Sequence, residues 1–136
     1  MKLPKLDEKY KYSCKPIEII DGDTFRAKLS KTIDIGFDCM ATISTIQLIR
    51  LYGLNSKELY VKDKTTNDYK LALEAKVALS SILINECTVF TFKDKYAGRY
   101  DGLVFSNQDF EPNLSEWLLI NYPHLYTEYY GKGEKK

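Results

Sequence analysis

The chain has 136 residues, 44% of them hydrophobic and 29% charged. That is one domain of ordinary size, able to bury a core without covalent staples. Its formal net charge is +1, which excludes a polycation and leaves any nucleic-acid contact to a local patch. The three cysteines, Cys14, Cys39 and Cys87, are odd in number and form no C-x-x-C pair, which argues against a disulfide framework and a structural zinc site and for a reducing compartment.

Taken in order, residues 1 to 11 are polar and lysine-rich and read as a flexible lead-in to a domain spanning residues 12 to 130. Charges interrupt this segment, so it offers no signal-type apolar run. No stretch of the chain approaches the ~20 apolar residues that span a bilayer. An intracellular protein, monomeric and without membrane contact, is the expectation. Tyr12 to Ile20 is strand-like, with Pro16 marking an edge or an irregular start. "DGDT" (21 to 24) interrupts it, and Phe25 to Ile35 then alternates with period two. "IGFD" (35 to 38) supplies a turn or bulge at Gly36. Met40 to Tyr52 is a further strand with apolar groups on both faces, as a central or barrel strand would have.

Residues 53 to 69 read as a loop. Leu71, Ala75, Ala78, Leu79 and Ile82 recur at helical spacing and predict a helix over 70 to 85. "CTVFTF" (87 to 92) and "LVFSN" (103 to 107) predict two strands joined by a hairpin. Asn113 is a candidate N-cap for a second helix, "LSEWLLIN", ending before Pro123. His124, the lone histidine, and Trp117 read as structural. Residues 131 to 136 form a basic tail. The order of elements predicts an α+β protein built on a five-stranded barrel of the OB type with two to three packed helices.

Taken alone, Asp21-Gly22-Asp23-Thr24 is better explained by a plain turn than by a cation site. Two other stretches change that balance. "IRLYGLNSKE" (49 to 58) places Arg50 near a strand end, followed by Asn55, Ser56 and Glu58. "DKYAGRYDG" (94 to 102) places Arg99 just after a glycine. Of the 20 basic residues only Arg26, Arg50 and Arg99 are arginine. Lysine serves where a solvated charge suffices, whereas the arginine fork holds a phosphate through two hydrogen bonds. The aromatic rings of Tyr52, Tyr96 and Tyr100 flank these arginines, open equally to packing and to base stacking.

In this order, "IIDGDTF", "IRLYGLNSKE", a helix containing "LEAK" (73 to 76), "DKYAGRYDG" and "NLSEWLL" (113 to 119) resemble the staphylococcal thermonuclease-like family over about residues 17 to 130. The ending "YYGKGEKK" resembles the short, lysine-tailed members found in viruses, and the third helix of longer members is expected to be absent or reduced. The resemblance implies an OB-fold, Ca²⁺-dependent endonuclease that hydrolyses DNA phosphodiesters with little sequence specificity, with RNA open as a substrate and Mg²⁺ or Mn²⁺ as alternative metals. By motif position, it implies Asp23 as a metal ligand and Asp21 as a supporting carboxylate. Asn55 stands at a second ligand position, and the backbone carbonyl of Ser56 completes the set. Glu58 would activate the attacking water, and Arg50 and Arg99 would hold the phosphate.

Phosphodiester chemistry needs such a set. A hard cation neutralises the anionic ester, a carboxylate orients or deprotonates water, and guanidinium groups stabilise developing charge. Three departures bear on it. Asn55 is neutral where the family has an aspartate, Lys57 replaces a proline, and Ala97 is an extra residue before Gly98. They leave a second class of function open, a noncatalytic nucleic-acid or protein binding module on the same barrel.

Overall fold

The computed structural model describes residues 3–106 and 108–130. Alternating apolar residues form three long strands, β1 (Lys11–Asp21), β2 (Thr24–Gly36) and β3 (Cys39–Leu51), and a short fourth, β4 (Gly53–Ser56). Helix α1 (Asn67–Ile82) follows, then β5 (Cys87–Tyr96), β6 (Arg99–Phe105), α2 (Leu114–Asn121) and β7 (Tyr126–Tyr129). Five strands close into a barrel in the order β1-β2-β3-β6-β5, while β4 and β7 pair as a separate two-stranded sheet. All barrel pairings are antiparallel except that of β3 with β6.

The barrel interior is filled from alternating positions. Phe25 and Ala27 on β2, Ile49 and Leu51 on β3, Val89 on β5 and Val104 on β6 are fully buried. Each large aliphatic or aromatic side chain removed from water in this way contributes about 1.5–3 kcal/mol. Gly102 is fixed by this packing, because a Cβ there would lie 2.9 Å from both Ile49 Cγ2 and Val89 Cγ2.

Helix α1 starts at Thr66, whose side chain accepts from Tyr69 N, with Asp68 in the first turn, where a carboxylate complements the helix dipole. Its small buried face of Ala72, Ala75 and Ala78 with Leu79 allows close approach to the β1–β2 turn. A Cβ on Gly22 would stand 2.5 Å from Ala75 Cβ and 2.8 Å from Ser56 Oγ. Helix α2 is capped by Asn113, which accepts from Glu116 N at 3.0 Å, and it buries Leu114 and Leu118.

Several expectations need correction. The first helix spans Asn67–Ile82 rather than residues 70 to 85, because the cap at Thr66 outweighs the later start of the apolar period. The segment read as a loop from 53 contains β4, which is only four residues long and polar at Asn55 and Ser56. The returning strand begins at Arg99 rather than 103, and residue 107 lies outside the described residues. Pro16 pairs with Ala27 of β2 beside a register shift and lies past the Lys11–Cys14 stretch that pairs with β5, an irregular, one-sided position as expected. The lead-in carries a short 3-10 turn, Glu8–Tyr10, capped by Asp7, and Lys31 Nζ donates to the carbonyls of Glu8 and Lys9. The basic tail, 131 to 136, lies outside the described residues. After α2 the described chain turns back as β7 rather than forming a third helix. Among the described residues no helix is long and apolar enough to cross a membrane.

Candidate functional site

One row of residues crosses four strands at one end of the barrel. Asp21 on β1 pairs in register with Thr24 on β2. Thr24 pairs with Arg50 on β3, and Arg50 with Asp101 on β6. The strand alternation that fills the core therefore also lines up two carboxylates, a hydroxyl and a guanidinium.

The turn between β1 and β2 adds Asp23, which is buried. Its backbone N donates to Asp21 Oδ1 at 3.1 Å. Its own carboxylate accepts from Thr24 Oγ1 at 3.0 Å and from Ser56 N at 3.1 Å. The main chain is held as well, with Leu51 N donating to Asp23 O at 2.8 Å. Asp23 is thus tied to β2, to the end of β3 and to β4. A glycine is required between the two aspartates by the approach of Ala75 and Ser56, which explains the DGD spacing physically.

Arg50 is the hub. Its Nη2 donates to Asn55 Oδ1 at 3.0 Å and lies 3.8 Å from Asp23 Oδ2. Both partners of the ion pair are largely shielded from solvent, at 12% and 8% exposure. The guanidinium also sits 5.2 Å from the centre of the Tyr129 ring, a cation–π distance. Arg99 approaches from the β5–β6 hairpin, and its Nη1 makes a long 3.4 Å bond to Thr24 Oγ1. Its Nε is buried and has no hydrogen-bond partner among the described residues, so this fork retains donor capacity.

Ala97, the residue expected to be an insertion, falls in the turn between β5 and β6. Ala97 and Gly98 both have positive φ, 51° and 81°, as a two-residue primed turn requires, and Tyr96 pairs directly with Arg99. The register irregularity falls further back, between Thr91 and Lys95. Lys57 makes an exposed ion pair, its Nζ 3.8 Å from Asp68 Oδ1. Glu58 is exposed, on the segment just after β4, and its charge is felt at Asp21.

The electrostatics follow from these neighbours. Burial pushes the Asp21 carboxyl up to about 7, helped by the hydrogen bond and charge of Asp23 and, more weakly, by Glu58. Burial also raises Asp101, opposed by Arg50 and Arg99 and reinforced by Asp23. Burial, with the charges of Asp23 and Asp21, pushes the Tyr126 hydroxyl up.

Sequence reading missed three members of this neighbourhood. Asp101 lies two positions after Arg99 on β6, a spacing that puts both on one face, so its signal was present. Tyr126 and Tyr129 carried none, because their role depends on β7 folding back onto β4. Tyr126 OH lies 2.7 Å from Gly22 O and 3.2 Å from Ala75 O, joining the acidic turn to α1, while its backbone pairs with Ser56. Of the flanking aromatics, Tyr52 is buried and packs at a tilt against Phe92 and Tyr130, whereas Tyr96 is 70% exposed.

Among the described residues no group of three or more His, Cys, Asp or Glu side chains could hold a metal ion. The donor set expected here is a different one, two carboxylates with an amide and a carbonyl oxygen. It fits a hard divalent cation on two grounds. Every donor is oxygen, and the part of the rise in Asp21 that comes, after burial, from the neighbouring Asp23 is one that a cation between them would relieve. The Arg50 bond to Asn55 Oδ1 leaves that oxygen a second lone pair. Ser56 Oγ is buried beside Gly22 with no hydrogen-bond partner among the described residues. No family model matches the chain, and no curated protein matches it.

Proposed function

We propose that the chain is a metal-dependent endonuclease of the thermonuclease-like kind, built on an OB-fold and acting on DNA with little sequence specificity, with RNA open as a further substrate. The strand order β1-β2-β3-β6-β5, with the helix α1 between β3 and β5 and a parallel β3–β6 closure, supports the OB assignment. The observation that carries the functional reading is Arg99. A buried guanidinium nitrogen with no partner among the described residues, on a side chain whose charge is felt together with that of Arg50 at Asp101, is costly unless an anion completes it.

Asp21, Asp23, Asn55 and the Ser56 carbonyl would hold the cation, Ca²⁺ first, with Mg²⁺ or Mn²⁺ as alternatives. Bound there, the ion supplies charge neutralisation of the phosphodiester and a hard Lewis acid for water. The residues of the chain do the rest. Arg50 and Arg99 bind the phosphate oxygens from two strands and stabilise added charge on them, each donor being worth ~3 kcal/mol. Glu58, exposed and close enough for its charge to reach Asp21, accepts a proton from the attacking water. Asn55 and Asp23 hold the Arg50 guanidinium, Thr24 Oγ1 accepts from Arg99, and the charges of both arginines are felt at Asp101. Phosphate contacts of this kind bind without reading sequence.

The test is cleavage of plasmid and single-stranded DNA by purified protein with Ca²⁺, Mg²⁺, Mn²⁺ or EDTA. Metal-dependent cutting that EDTA abolishes is the expected result. Salt-sensitive DNA binding with no cutting under any metal would overturn it in favour of a noncatalytic binding module.

A further inference from the structure

Cys14 and Cys87 stand directly opposite each other where β1 closes onto β5. Directly opposed residues of an antiparallel pair have Cα atoms about 4.5 or 5.5 Å apart, depending on the hydrogen-bonding of the pair. Both separations fall within the roughly 4.4–6.8 Å that a disulfide spans, and opposed side chains share one face of the sheet. Cys87 Sγ donates to the Cys14 carbonyl at 3.7 Å, so this thiol is turned toward the neighbouring strand. Its hydrogen bond with the Cys14 thiol, followed by burial, pushes Cys14 well above the ordinary thiol range. Both are free thiols; Cys14 is buried and Cys87 partly exposed. Cys39 is exposed at the far end of the β2–β3 hairpin, opposite Gly36.

We propose that Cys14 and Cys87 form a two-electron oxidisable dithiol whose disulfide seals the β1–β5 seam of the barrel, with hydroperoxides as the class of oxidant. Cys87, the accessible member, reacts first as the thiolate. Its sulfur attacks one peroxide oxygen, the O–O bond breaks, and the departing hydroxide takes up a proton, leaving a sulfenic acid. The Cys14 sulfur then attacks the Cys87 sulfur. The S–O bond breaks, and the Cys14 proton leaves with the hydroxide as water. Two thiols and one hydrogen peroxide thus give one disulfide and two waters. The resulting link closes a loop containing β2, β3, β4 and α1, so it constrains the unfolded chain strongly. The inference does not depend on the nuclease reading.

The experiment uses the full chain carrying Cys39→Ser, reduced, dilute and folded, with one equivalent of hydrogen peroxide as the probe. Free thiols are then alkylated, and the digest is examined by mass spectrometry beside a melting curve. The expected result is a crosslinked Cys14–Cys87 peptide, with both thiols lost together, reversal by dithiothreitol, and a rise in Tm of about 10 °C. Cys87→Ser in the same background should retain its thiol and its Tm. Oxidation of Cys87 to sulfinic or sulfonic acid while Cys14 stays alkylatable would overturn the proposal. So would a crosslink that forms only in denaturant.

Discussion

Replacing Asp21 with asparagine keeps the Oδ1 acceptor that Asp23 N uses but removes a group that ionises at high cost. Burial and Asp23 push the Asp21 carboxyl up to about 7, against about 4 in an unfolded chain. The folded protein therefore holds this proton more tightly than the unfolded one. Stability from Asp21 is fully present below about pH 4 and is lost as pH rises through about 7. A shift of about three pH units is worth ~4 kcal/mol if fully expressed. Because Asp21 is only partly buried and shares its field with Asp23, solvent screening reduces this to roughly 1–2 kcal/mol. In EDTA, Asp21→Asn should gain on the wild type by about 3–7 °C in Tm between pH 5 and pH 8.5. Ca²⁺ at pH 8.5 should then stabilise the wild type more than the variant, narrowing the gap. Melting curves followed by fluorescence across that range decide the matter. A Tm difference that stays constant with pH would refute the reasoning.

Three further outcomes follow from the same neighbourhood. Arg99→Lys keeps the charge but loses the fork; DNA cleavage should fall about 100-fold with an unchanged melting curve, and a parallel loss of stability would assign Arg99 a structural role instead. Tyr126→Phe removes the hydroxyl that joins Gly22 to Ala75 and should cost about 1–2 kcal/mol in urea unfolding; an unchanged midpoint would contradict that bridge. Gly22→Ala forces a Cβ against Ala75 and Ser56, and should cost about 1–3 kcal/mol together with metal-dependent stabilisation; a fully stable variant would show that α1 is not held against the turn.

How much of this was legible in the sequence differs by element. Period-two alternation marked β2 and β3, a strand-like run marked β1, and the Asn113 cap with Pro123 located α2, because these signals are local. The closure of β1 on β5 and the parallel contact of β3 with β6 depend on residues far apart in the chain, so no local pattern carried them. Strand β4 was hidden because it is short, and because Asn55 and Ser56 look like loop chemistry. Its partner β7 was hidden behind a tyrosine-rich segment with no clean alternation. Asp23, Arg50, Asn55 and Arg99 were singled out by residue type and motif, and the fold brings them to one end of the barrel. Glu58 is more loosely tied to that group, since it lies on an exposed segment beyond β4. The three cysteines are free thiols, in line with the odd count, while the facing of Cys14 and Cys87 is set by the register of β1 on β5, which no local pattern carried.

The most direct measurement is single-turnover cleavage of a short single-stranded DNA by excess protein with Ca²⁺, comparing wild type, Arg99→Lys and Glu58→Gln, with DNA binding measured in parallel. The account predicts rapid cutting by the wild type and a loss of about 100-fold or more in each variant. Glu58→Gln should still bind DNA like the wild type. Equal cutting by wild type and Glu58→Gln, or binding by a folded wild type that never cuts, would contradict it.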